Sequence, residues 1–92
     1  MALFSLTYDI RAKNHDYTPL TNQLTSFNAV RVLQSTWCFY RYNTSAAGLR
    51  SYFKQFVHKD DSLFVTQIAD WATLNTENTP NDLAYAEAGA ER

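Results

Sequence analysis

A chain of 92 residues, 46% hydrophobic, 15% aromatic and 18% charged, has apolar surface enough for one core and no room for a second catalytic domain. The net charge of -1 is unevenly spread: residues 1–71 carry seven Lys or Arg against five Asp, and residues 72–92 carry four acids against Arg92. Neither part has the strongly basic footprint of a dedicated nucleic-acid binder. The single cysteine, Cys38, excludes an internal disulfide and a cysteine zinc site and reads as a small buried hydrophobe.

At the N-terminus Phe4, Leu6, Tyr8 and Ile10 alternate with Leu3, Ser5, Thr7 and Asp9, which predicts a half-buried strand over residues 3–10. The segment has no basic start and no long apolar run. It reads as neither a signal peptide nor a membrane span, so a cytoplasmic protein without a membrane partner is expected. After a polar loop, Asp16 or Thr18 is placed to cap a helix with Pro19 in its first turn, and Leu20, Leu24 and Phe27 recur at helical spacing up to Asn28.

Residues 29–42 are rich in β-branched and aromatic side chains but too long for one ordinary strand of about 5–6 residues. The polar break Gln34-Ser35-Thr36 predicts two strand pieces joined by a tight bend, or one kinked strand. Asn43-Thr44-Ser45 supplies capping side chains for a second helix, whose apolar face is Leu49, Tyr52, Phe53, Phe56 and Val57. His58-Lys59-Asp60-Asp61 turns the chain, and residues 63–68 form the last strand. Residues 73–82 read as loop and residues 83–90 as a short or frayed helix. The order is that of an α+β, ferredoxin-like β-α-β-β-α-β domain over residues 1–71, with an antiparallel sheet and both helices on one face, followed by a loop and C-terminal tail over residues 72–92.

Three segments carry a resemblance: Tyr8-Asp9-Ile10, Arg31-Val32-Leu33-Gln34-Ser35-Thr36-Trp37, and Asp60-Asp61-Ser62-Leu63-Phe64-Val65. In this order they resemble the small ferredoxin-like CRISPR-associated nuclease family, the second of the core CRISPR-associated proteins. With Asp16-Tyr17-Thr18, Leu20 and a terminal Asp70-Trp71, the pattern is closer to the SinR-like phage and bacterial relatives of that family. Virulence-associated protein D is a more distant resemblance. The resemblance implies a homodimer in which the first-strand aspartates of two copies face each other across a divalent metal. It leaves activity open, because some members are nucleases and others act as structural bridges.

On this reading Asp9 is the catalytic residue and the metal ligand, with Mg or Mn as cofactor. One carboxylate holds Mg²⁺ weakly, because the ion prefers six oxygens, whereas two carboxylates related by a dyad make a usable site. The alternative for Asp9 is a cap on backbone amides of the following loop. Arg11, Lys13 and Arg31 are the phosphate-binding candidates, and Tyr8, His15 and Ser35 the supporting ones. Asp60 and Asp61 read as a solvated acidic turn, and His58 as a partner of helix-end carbonyls. Two functions compete: a metal-dependent endonuclease dimer acting on nucleic acid, and a non-catalytic module that binds a protein partner. An RNA recognition motif is disfavoured because Cys38-Phe39-Tyr40-Arg41-Tyr42 has aromatics but no glycine.

Overall fold

The structure, a computed structural model, describes residues 1–12 and 14–83. Strand β1 (Ala2–Asp9) is followed by helix α1 (Thr18–Ser26), strands β2 (Val30–Leu33) and β3 (Thr36–Arg41), helix α2 (Ala46–Phe53) and strand β4 (Ser62–Gln67). The four strands form one sheet in the order β2-β3-β1-β4, with every neighbouring pair antiparallel. Each helix therefore joins two strands that run parallel with a third strand between them. The helix expected over residues 83–90 lies, beyond Leu83, outside the described residues.

Alternation in β1 does what period 2 requires. Phe4, Leu6 and Tyr8 are buried and face the helices, where they meet Leu20 and Leu24 of α1 and Leu49 and Phe53 of α2. Phe39 and Trp37 stand opposite Phe4 and Leu6 in the register and extend the same layer across β3. Phe27, Phe39 and Phe53 pack around one another with ring centroids 5.1–6.2 Å apart, within the range of favourable aromatic contacts. On the other face, hydroxyls pair across strands: Ser5 with Thr66 at 2.5 Å and Thr7 with Thr36 at 2.9 Å.

Local chemistry sets the element ends. Helix α1 stops in a Schellman motif, in which Asn28 N–H donates to Thr25 O and Ala29 N–H to Leu24 O. Asn28 takes φ 56°, a left-handed conformation that asparagine tolerates better than most residues. Ser45 caps α2 by accepting the Gly48 N–H at 3.1 Å. That helix is shorter than its apolar face, because the chain tightens into a 3-10 turn (Lys54–Phe56) and is extended at Val57. Ser35, in the two-residue turn between β2 and β3, accepts the Tyr8 N–H through its carbonyl at 3.0 Å and so ties the bend to β1.

Polar composition makes residues 73–82 read as plain loop, yet part of this segment packs back on the sheet. Glu77 N–H donates to Val32 O at 3.0 Å and Asn78 Nδ2 to Arg31 O at 2.8 Å, which satisfies carbonyls of the edge strand β2. Pro80 and Leu83 are buried. Cys38 is buried as expected, and burial first, then the nearby Asp82 carboxylate, raises its thiol to about 11. Among the described residues no helix is long and apolar enough to cross a membrane.

Candidate functional site at the end of the first strand

Asp9 is the last residue of β1, a central strand, and pairs with Ser62 of β4. The alternation that buries Tyr8 turns Asp9 outward, and its side chain is 67% exposed. Its Oδ2 accepts from Arg11 Nη2 at 3.1 Å, an exposed ion pair of the kind that contributes at most about 1 kcal/mol. The pair orients both side chains without strongly anchoring either.

The anchor is Asp61. Its Oδ1 accepts the backbone N–H of Arg11 at 2.7 Å and of Ala12 at 3.2 Å, while its Oδ2 accepts the Tyr17 hydroxyl at 2.5 Å and the His58 N–H at 2.9 Å. Four donors occupy the acceptor positions of one carboxylate. Burial pushes this carboxyl up, but the bonds from Tyr17 and from the amides of Arg11, His58 and Ala12 outweigh it and hold the group well below the usual carboxylate range. Tyr17 is pushed up to about 12, first by burial and then by its bond to Asp61. The reading of Asp61 as a solvated turn residue is therefore corrected: it fastens the loop after β1 to the turn before β4. Asp60 is the exposed member of the pair.

The supporting candidates separate. His15 packs edge-on against Tyr17 and His58, with ring centroids 4.8 and 5.9 Å away. His58 does not cap a helix through its ring as expected; its Nδ1 accepts the Asp60 N–H at 3.1 Å. The Asp60 carboxylate stands 3.5 Å from the same nitrogen, a contact that turns attractive only when the ring is protonated. Tyr8 is buried in the core, with its hydroxyl 3.5 Å from Trp37 Nε1. Arg31 lies two strands from β1, its guanidinium 4.7 Å from the Trp37 ring centre, and its Nε is buried without a hydrogen-bond partner among the described residues. Lys13 lies outside the described residues.

Two depressions meet at His58. One of about 390 Å³ is lined by Ala12, Asn14, His15, His58 and Asp60, and a larger one of about 530 Å³ lies beneath α2 and the turn after it. Among the described residues at this end of the sheet, Asp9 and Asp60 are the exposed carboxylates that a hard divalent ion could use, because the oxygens of Asp61 are already taken. No group of three or more metal-ligating side chains is found among the described residues.

Tyr17, Asp61 and His58 are the residues whose contacts sequence reasoning did not find. Asp61 and Tyr17 are 44 positions apart, and the resemblance segments that contain them assign neither as the other's partner. No protein-family model matches the chain, and no solved structure matches it.

Proposed function

We propose that the chain is a ferredoxin-like homodimeric module directed at nucleic acid in the cytoplasm, of the metal-dependent endonuclease type, with Mg or Mn held between the Asp9 carboxylates of two copies. The observation that carries this reading is the exposed Asp9 carboxylate at the end of a central strand, beside an Arg11 whose backbone is pinned by Asp61. The split order of strands and helices supports the ferredoxin-like assignment. A divalent ion bound there supplies charge stabilisation for a phosphodiester and a more acidic water. The chain's own part is to present Asp9 free of packing, to place the Arg11 guanidinium at the same point for a phosphate oxygen, and to fix the loop through Asp61. Lys13, two residues on, adds a second cation to this loop.

The test is cleavage of single- and double-stranded DNA and RNA with Mg²⁺ or Mn²⁺ by the wild type and by Asp9→Asn. Cleavage by the wild type, reduced about a hundredfold or more in the variant, is the expected result for loss of a metal ligand. Asp9 is exposed, so the variant keeps its circular dichroism spectrum. Equal cleavage by both proteins overturns the mechanism.

One observation favours the alternative, a non-catalytic module for a protein partner. Phe64 is 66% exposed on β4, the uncovered edge of the sheet. Co-purification of a protein partner lost in Phe64→Ser, together with no cleavage under any metal, selects that reading.

A further inference from the structure

Arg50 in α2 and Lys54 in the turn after it are four residues apart and exposed, so they neighbour each other at the end of the helix. The chain then bends through His58 and Lys59. These four groups and Ser51, with Val57, Asp61 and Leu63, line the basin of about 530 Å³, a volume typical of small-ligand sites. Three of the chain's eight Lys and Arg converge here although its net charge is -1. The concentration of positive charge is thus a property of the place and not of the composition.

The cations are available. Among the described residues Arg50, Lys54 and Lys59 form no ion pair, and the one carboxylate in the wall, Asp61, has both oxygens occupied by its four donors. His58 Nδ1 accepts the Asp60 amide, which leaves the ring proton of the neutral imidazole on Nε2 as a further donor. A monocarboxylate carries a single charge and two oxygens, and one arginine matches it. An arginine fork, two ammonium groups, an imidazole and a hydroxyl match a group with three acceptor oxygens and up to two negative charges.

The geometry points to a phosphate-binding site in this basin, formed by Arg50, Lys54, His58 and Lys59 with Ser51, for a phosphate carried by a nucleotide or by a nucleic-acid strand. The site uses neither Asp9, Arg11 nor Lys13, so it stands or falls apart from the metal reading; only the strand form of its ligand rests on the preceding proposal.

The experiment is an ¹⁵N-HSQC titration of the full chain in EDTA with inorganic phosphate, with AMP and with a short single-stranded oligothymidylate, repeated on the double variant Arg50→Glu/Lys54→Glu. Shifts centred on residues 50–59, and an affinity at least about tenfold weaker in a variant of unchanged melting temperature, are expected from reversing two phosphate contacts. If the oligothymidylate binds more tightly, with a salt slope that falls by about 1 to 2 in the variant, the ligand is a strand. If AMP binds as tightly as the oligothymidylate, the site takes a free nucleotide. No binding of any of the three probes overturns the site, and so do shifts centred on residues 8–12 with the double variant binding like the wild type; that last result leaves the nucleic-acid reading of Asp9 intact.

Discussion

Asp61 decides more of the local geometry than any other polar residue at this end of the sheet. Its four bonds join residues 11, 12 and 17 to residue 58, so replacing it leaves several donors without their shared acceptor. Asp61→Asn is expected to cost about 2 to 4 kcal/mol, the scale for losing charge-assisted hydrogen bonds and leaving part-buried groups unsatisfied. The pH dependence has a definite sign. A carboxyl held below its unfolded value, near about 3.9, contributes stability that is fully present above that pH and lost as pH falls through the folded value. The melting-temperature gap between wild type and Asp61→Asn should be full above about pH 5 and narrow progressively as pH falls below about 4 toward the lower folded value; a gap independent of pH contradicts this role of Asp61. Asp9 was legible in the sequence because a carboxylate out of phase with Phe4, Leu6 and Tyr8 has to face outward. Asp61 was not, because its role comes from a loop some 50 residues earlier whose path only the folded chain reveals.

Elements were legible wherever short-range chemistry sets them. The polar break at Gln34-Ser35 became a two-residue turn between β2 and β3, and the helix expected to run to about Asn28 ends in a motif built around that residue. The conformation of Asn28 gives a direct check. Asn28→Ala should lose about 1 kcal/mol, because a Cβ-bearing residue without a polar side chain is strained at φ 56°, whereas Asn28→Gly should hold or raise stability in urea titrations. Equal stability of the two variants contradicts the reading of this helix end. The shortened second helix was not legible: Phe56 and Val57 continue the apolar spacing of Leu49 and Phe53, but the chain leaves helical geometry to reach the turn that Asp61 holds.

For the whole molecule, the residue pattern marked the strand segments, leaving residues 29–42 as two pieces or one kinked strand, but not their order, because the placement of β1 between β3 and β4 depends on pairings more than 25 residues apart. The return of residues 77–83 was likewise hidden: a run of Thr, Asn, Pro and acids looks like loop, and its docking rests on one backbone amide and one Asn side chain meeting β2. Asp61 links the two places: it accepts the backbone amide of Arg11, which pairs with Asp9, and it lines the basin of Arg50, Lys54, His58 and Lys59. In the proposed function Asp9 becomes a metal ligand when two copies share one ion. Isothermal titration of Mn²⁺ into the wild type and Asp9→Asn, with the oligomeric state followed by sedimentation, tests it most directly. The expected result is one ion per two chains in a wild-type dimer and none in the variant; one ion per chain, or the same uptake by both proteins, contradicts it.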